Sequence, residues 1–101
     1  MQITVVNSQQ TRLGEYIGRP SVLGNPYTIG RRTRAEVIAQ YRQWLRQEWV
    51  KKGAVQAELL RLARLAKAQQ TLTLRCWCAP RACHGDVVRE ALLGILQHEL
   101  V

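Results

Sequence analysis

The residues best suited to chemistry lie in one short segment, 76–86, which reads Cys-Trp-Cys-Ala-Pro-Arg-Ala-Cys-His-Gly-Asp. It contains all three cysteines of the chain and one of its two histidines. Thiols and imidazoles bind zinc, and they also carry out nucleophilic and proton-transfer steps near neutral pH. An active site, a metal site or an anion-binding turn is therefore expected here first.

An anion-binding turn is the first interpretation of this segment. The strict alternation of Thr71–Cys78 predicts a strand, and the apolar spacing of 86–100 predicts a helix. The apolar face of that strand would carry Leu72, Leu74, Cys76 and Cys78. A turn from strand to helix collects unpaired amides at the positive end of the helix dipole, and Arg81 adds a charge there. The structural alternative is a tight loop whose amides are capped by Asp86 and water.

Metal binding is the second interpretation, because three cysteines and a histidine would complete a zinc ligand set. That alternative set is Cys76, Cys78, Cys83 and His84. Residues two apart on a straight strand are separated by about 6.6 Å, whereas two thiolates on one tetrahedral zinc lie about 3.8 Å apart. Zinc therefore stays open as a cofactor without being favoured. The zinc signature of nucleoside deaminases does not fit, since His84 follows the cysteines and Asp86 stands where a glutamate is needed.

Cysteine-based catalysis is the third interpretation. A thiol at a helix start has a lowered pKa, and at Cys83 the neighbouring Arg81 would further favour the thiolate. His84 would then carry the proton. The candidate catalytic residues are Cys83, His84 and Asp86, although the side chains of adjacent cysteine and histidine residues usually diverge. Whether the chain is an enzyme is left open.

A second segment with unusual composition runs from Gly18 to Gly30. The sequence GRPSVLGNPYTIG contains three glycines and two prolines, and so many helix- and strand-breaking residues argue against either regular element. The pattern predicts a structured loop with a tight turn at Leu23–Pro26. Arg19 and Asn25 lie on this loop, where they could form one wall of a pocket.

The rest of the chain predicts the elements that must position these two segments. Thr33–Glu36 is a capping box, so a helix should begin there, and Gly53 should end it. The predicted elements are, in order, strand 3–6, strand 15–18, a helix from the capping box, a helix at 54–67, strand 71–78 and a helix at 86–100. This order favours a single α/β domain over residues 1–101, with a short mixed sheet of about three or four strands packed with three helices. The cysteine segment would be a Rossmann-like strand-turn-helix unit.

Composition sets the broad class of the protein. Of the 101 residues, 47% are hydrophobic and 22% are charged, which is typical of a soluble domain. No apolar run approaches the ~20 residues of a membrane span, and the first residues lack the pattern of a secretion signal. We therefore expect no membrane partner. An odd number of cysteines, two of them one residue apart, suits free thiols, and this favours a cytoplasmic protein. The oligomeric state is not predicted.

The formal net charge of +8 is concentrated in the middle of the chain. Residues 31–67 contain ten basic and three acidic side chains. Such a block can attract nucleic acid, although solvated helix surfaces explain most blocks of this kind. The candidate nucleic-acid contacts are Arg31, Arg32, Arg61 and Arg64.

Two motifs together resemble a known family. Tyr16-Ile17-Gly18-Arg19-Pro20 followed by Gly24-Asn25-Pro26 is one, and Cys76-Trp77-Cys78-x-Pro80-x-x-Cys83-His84-Gly85-Asp86 is the other. They are similar to the "YIGRP…GNP" and "CWCxPxxCHGD" motifs of a family of small bacterial and phage proteins of unknown function. The resemblance implies no activity, but it pairs two segments that are far apart in the sequence.

We therefore expect the two loops to meet at one edge of the sheet and to form a single polar pocket. The candidate ligand-binding residues are Arg19, Asn25, Cys78 and Arg81, which together with helix-start amides suit a phosphate or carboxylate. The favoured function is binding, with turnover left open, of an anionic nucleotide-like or phosphorylated small molecule. The alternatives are a basic nucleic-acid-binding module, with or without stabilising zinc, and a phage or host protein-interaction domain.

Overall fold

The computed structural model describes residues 1–28, 30–79, 81 and 83–98. This part of the chain contains three strands and three helices. The elements are β1 (Gln2–Asn7), β2 (Glu15–Tyr16), α1 (Arg34–Val50), α2 (Ala54–Gln69), β3 (Thr71–Cys76) and α3 (His84–His98). This order and the α/β class are as predicted. The predicted end of the last helix, at residue 100, lies outside the described residues.

The sheet has the strand order β1-β3-β2, so the last strand in the sequence lies in the centre. Val5 of β1 and Glu15 of β2 are both level with Leu74 of β3. Both pairings are parallel, and the predicted mixed sheet is therefore wrong in this detail. A parallel connection normally needs a long crossover. Here β1 ends level with Cys76 and β2 begins level with Leu74. The connection 8–14 therefore runs back by only about two residues along the sheet, and no helix is needed to span it.

The core lies where the helices cover the sheet. Leu72, Leu74 and Cys76 alternate along β3 and are at most 5% exposed, as the period-2 pattern predicts. The apolar stripe of α2 is buried; it consists of Val55, Leu59, Leu62 and Ala66. Along α3, the apolar residues at helical spacing are buried, namely Val87, Val88, Leu92, Ile95 and Leu96. These packed faces hold the end of β3 and the start of α3 in fixed relative positions.

The ends of the elements differ from the prediction near the cysteines. The strand stops at Cys76, two residues early, and α3 begins at His84, two residues early. Asn7 explains the early stop, because its Nδ2 donates to the carbonyl oxygens of Trp77 at 3.2 Å and Ala79 at 2.8 Å. These bonds turn the chain away from the sheet, so Cys78 does not share the strand face with Cys76.

The start of α1 is as predicted. The hydroxyl of Thr33 accepts a hydrogen bond from the amide of Glu36 at 3.1 Å, which satisfies one of the free amides of the first turn. The helix ends at Val50, ahead of the predicted stop, and Gly53 is instead the N-cap of α2. In the described part of the chain, no helix combines the length and apolar character that crossing a membrane requires.

Candidate functional site

A cleft of about 560 Å³ lies between the loop after β2, the start of α1 and the turn after β3. Five of the residues singled out in the sequence line it: Arg19, Asn25, Cys78, Cys83 and His84. The two motif segments are thus brought together, although they are more than 50 residues apart in the chain. The fold does this by placing β2 and β3 side by side, so that the segments that follow them lie at the same edge of the sheet.

The loop that forms one wall is held together by its own polar residues. The guanidinium of Arg19 donates from Nε to the carbonyl oxygen of Asn25 at 2.7 Å and from Nη2 to that of Tyr27 at 2.9 Å. The side-chain oxygen of Asn25 accepts from the amide of Tyr27 at 2.9 Å, as in an Asx turn. Arg19 and Asn25 therefore stabilise the wall, and Arg19 also brings a positive charge to the cleft.

His84 is a buried residue at the first position of α3. Its Nε2 lies 2.7 Å from the carbonyl oxygen of Ile17, and its ring meets that of Tyr41 edge-on at 5.1 Å. Because a carbonyl oxygen only accepts, Nε2 carries a hydrogen and Nδ1 is the nitrogen left for a proton or a ligand. His84 thus ties α3 to the chain leaving β2.

The thiols of Cys76 and Cys83 form a close buried pair. Their sulfur atoms are 3.2 Å apart, and the residues are 0% and 3% exposed. The hydrogen bond from Cys83, helped by the backbone N–H groups of Cys78 and Ala79, lowers the pKa of Cys76 to about 6. The same hydrogen bond and burial raise the pKa of Cys83. The expectation of a lowered pKa at Cys83 is therefore wrong, since its partner sulfur outweighs the helix start.

Aromatic residues form the other wall of the cleft. The indole of Trp77 is 57% exposed and donates from Nε1 to the hydroxyl of Tyr16 at 2.8 Å. That hydroxyl donates in turn to the carbonyl oxygen of Arg19 at 2.5 Å, and Arg75 lies over the Tyr16 ring at 5.5 Å. A Cβ on Gly18 would stand 2.5 Å from the Tyr16 hydroxyl, so a side chain there would displace the Tyr16 ring from this position. These contacts fix Trp77 at the rim of the cleft.

Tyr16, Tyr27, Arg34 and Trp77 line the cleft but were not singled out as site residues from the sequence. For Trp77 a usable signal was present. In the alternating strand pattern it lies on the polar face, opposite Leu72, Leu74 and Cys76, so its large aromatic ring is not expected in the core. Such a residue is a candidate for contact with a ligand.

The comparisons with known proteins give the family. The family model described as "Domain of unknown function (DUF4326)" matches residues 4–94. The chain belongs to this family. No curated protein and no solved structure matches it. Because the family description carries no activity, the residues of the cleft are the guide to the function of this DUF4326 domain.

Asp86 of this DUF4326 domain caps α3. Its Oδ2 accepts from the amide of Cys83 at 3.1 Å, while Sγ of Cys83 accepts from the amide of Gly85 at 3.3 Å. This is the reciprocal pattern of a capping box, with a thiol in place of a hydroxyl. The cap leaves fewer free amides for an anion than the sequence suggested. Asp86 is exposed and is not among the lining residues, so no cleft contact supports its predicted catalytic role.

Replacing Asp86 with alanine should lower the free energy of unfolding by about 1 kcal/mol, because the amide of Cys83 loses its acceptor. Asp86→Asn should retain most of the stability, since an amide oxygen can accept the same bond. Urea denaturation of the three proteins measures the difference. If Asp86→Ala is as stable as the wild type, the cap has been assigned wrongly.

The zinc alternative gains no support from the geometry. Across residues 1–28, 30–79, 81 and 83–98, no three cysteine, histidine or acidic side chains are grouped so as to hold a metal ion. Cys76 and Cys83 are close together, but among the described residues no third cysteine, histidine or acidic side chain is grouped with them to hold a metal ion. Pro80 and Ala82, in the same segment of the sequence, lie outside the described residues.

The remaining basic candidates are not among the residues that line the cleft. Arg81 is exposed and is not among the lining residues, and its amide donates to the carbonyl oxygen of Cys78 at 2.8 Å. Arg61 is paired with Glu58 and Glu15, each at 2.5 Å, and these bonds raise its pKa further. The other three predicted nucleic-acid contacts, Arg31, Arg32 and Arg64, are exposed. Arg61 is therefore the weakest of the four candidates for a nucleic-acid contact, because two carboxylates already balance its charge.

Proposed function

We propose that this protein binds an anionic, nucleotide-like small molecule in the cleft between the two motif segments. The observation that supports this most strongly is the make-up of the walls. Two arginines and three aromatic residues line the cleft, and none of its described lining residues is acidic. The aromatic members are Tyr16, Tyr27 and Trp77, and the basic ones are Arg19 and Arg34. This combination suits a ligand that has both a flat ring and a phosphate.

The arginines provide the phosphate-binding side. A guanidinium group matches the geometry of phosphate oxygens and remains charged at every physiological pH. Arg19 donates to two backbone carbonyls and makes no ion pair with any described residue, so its charge is not cancelled. Arg34 lies on the same cleft, at the first residue of α1. A helix start favours an anion through its dipole.

Trp77 provides the ring-binding side. Its indole is mostly exposed, yet its hydrogen bond to Tyr16 holds it in one orientation. A fixed, exposed ring can stack on a nucleobase, which is worth about 1 to 3 kcal/mol per base in single-stranded nucleic-acid binding. Val37 and Ile38 of α1 add apolar surface to the lining. The volume of about 560 Å³ lies within the usual range for small-molecule sites.

The proposal is tested by thermal unfolding with a matched panel of nucleotides, the corresponding nucleosides, sugar phosphates and inorganic phosphate. At least one nucleotide should raise the melting temperature saturably, and its nucleoside and inorganic phosphate should each do so far less. A ligand at 100 times its Kd stabilises by about 2.7 kcal/mol, which is readily measured. The absence of a saturable shift across the whole panel would contradict the proposal.

Variants of the two walls show whether binding is in the cleft. Arg34→Ala and Trp77→Ala should each weaken the nucleotide about tenfold or more, the equivalent of about 1.4 kcal/mol. Arg64→Ala is the matched control, because it removes the same charge from an exposed position of α2. Equal losses in Arg34→Ala and Arg64→Ala, with a steep dependence on salt and binding of oligonucleotides, would instead favour the nucleic-acid surface predicted over 31–67.

A further inference from the structure

The buried sulfur pair beneath the cleft has no role in the proposed ligand binding. Sγ of Cys76 and Sγ of Cys83 lie 3.2 Å apart, and both thiols are free. A disulfide bond measures about 2.05 Å, so the two sulfurs need to approach by only about 1 Å to form one. They come from the end of β3 and the start of α3, which the core already holds together.

We propose that Cys76 and Cys83 are a redox-active dithiol, which a low-molecular-weight disulfide entering the cleft oxidises to an intramolecular disulfide. Cys83 is the point of entry because it lines the cleft, whereas Cys76 is not among the lining residues. Cys78 also lines the cleft, but no described hydrogen bond joins its sulfur to either of the other two. The pair is therefore Cys76 with Cys83, and Cys78 stays reduced.

The reaction consists of two thiol–disulfide exchanges. Cys83 passes its proton to Cys76 and attacks one sulfur of the small disulfide, which forms a mixed disulfide and releases one thiolate. That thiolate takes the proton from Cys76, and Cys76 then attacks Sγ of Cys83 and releases the second thiolate. The second thiolate takes a proton from solvent. In total, two protein thiols are oxidised to one disulfide and one small disulfide is reduced to two thiols.

The surroundings of Cys76 suit it to the second step. The backbone N–H groups of Cys78 and Ala79 and the thiol of Cys83 all stabilise a negative charge on its sulfur. Because the two sulfurs lie 3.2 Å apart in the reduced protein, an approach of about 1 Å is enough for Cys76 to resolve the mixed disulfide. In the reduced state the two sulfurs share a hydrogen bond, and transfer of its proton to Cys76 frees Cys83 for the first attack.

The test is oxidation of the folded, reduced protein in a series of glutathione redox buffers, followed by alkylation of the remaining thiols and mass spectrometry. We expect loss of two of the three thiols, with Cys78 still open to alkylation. Trypsin should then yield peptides 76–81 and 82–89 joined by a disulfide, since Arg75, Arg81 and Arg89 flank them. Because the first peptide contains both Cys76 and Cys78, fragmentation spectra must show which of them is linked.

Two matched variants separate the possible outcomes. Cys78→Ser should form the linked peptides as the wild type does, while Cys76→Ser should stop at a mixed disulfide with glutathione. If Cys76→Ser does not fold, the fragmentation spectrum of the wild type still assigns the bond. Three intact thiols throughout the buffer series, a link through Cys78, or a persistent mixed disulfide in the wild type would each overturn the proposal.

Discussion

Replacing Tyr41 with alanine is expected to lower the free energy of unfolding by about 3 to 5 kcal/mol, the usual effect of removing a fully buried aromatic side chain. Tyr41 is 0% exposed and contacts the rings of Trp44 at 5.4 Å and His84 at 5.1 Å between centroids. Its hydroxyl donates to the carbonyl oxygen of Leu23 at 2.7 Å. The substitution therefore leaves a cavity beside the cleft and an unpaired acceptor in the loop.

Tyr41→Phe isolates the contribution of the hydroxyl. It keeps the ring and removes only the bond to Leu23, so a loss of about 1 to 3 kcal/mol is expected for the unsatisfied buried carbonyl. Gln43→Ala is the control, because it changes an exposed residue of the same helix and should stay within about 0.5 kcal/mol of the wild type. Urea denaturation measures all four proteins. A Tyr41→Ala protein as stable as the control would contradict the packing described above.

The reduced protein should be more stable at pH 8 than at pH 6 because of the thiol pair, since the pKa of Cys76 is lower in the folded than in the unfolded protein. The pKa of Cys76 is about 6 in the folded protein, against 9.0 for an ordinary thiol. A group whose pKa is lowered by folding stabilises the protein fully above its unfolded pKa. That stabilisation declines as the pH falls from 9 toward 6. Above pH 9 the raised pKa of Cys83 acts in the opposite direction, so the gain is confined to this window.

The measurement is urea denaturation at pH 6, 7 and 8 with a phosphine reductant present. Cys76→Ser should remove most of the pH dependence, and Cys78→Ser, which leaves the pair intact, should preserve it. Subtracting the variant from the wild type cancels the contributions of groups common to both, such as the two histidines. An unchanged slope in Cys76→Ser would show that the pair does not share its proton as described.

The elements with a strong local signal could be predicted from the sequence. The spacing of Val55, Leu59 and Leu62 is enough for α2, and the alternation of Leu72 and Leu74 is enough for β3, because each pattern matches one period of the backbone. The parallel direction of the strands could not be predicted from the sequence in this way. It depends on where a two-residue β2 pairs along β3, and no short-range pattern specifies that.

For the candidate site, the sequence likewise indicated which residues matter but not which contacts they make. The sequence pointed to Arg19 and Cys83 as residues of interest, and both line the cleft. It did not show that Arg19 would bind the carbonyls of its own loop, or that Cys76 would lie beside Cys83. Those contacts depend on how β3, α3 and the loop after β2 pack together. The pKa direction at Cys83 was wrong for the same reason, since the helix-start rule takes no account of a neighbouring sulfur from another element.

The central position of β3 affects how the chain can fold as it is made. Both strand pairs of the sheet include β3, so β1 and β2 have no partner in this sheet until residues 71–76 have been synthesised. Until then α1 and α2 can pack only against each other, β1 has no sheet to join, and every sheet contact spans a long stretch of chain. Folding on the ribosome should accordingly begin late, and the nascent chain should depend on chaperones more than a domain with sequential hairpins would.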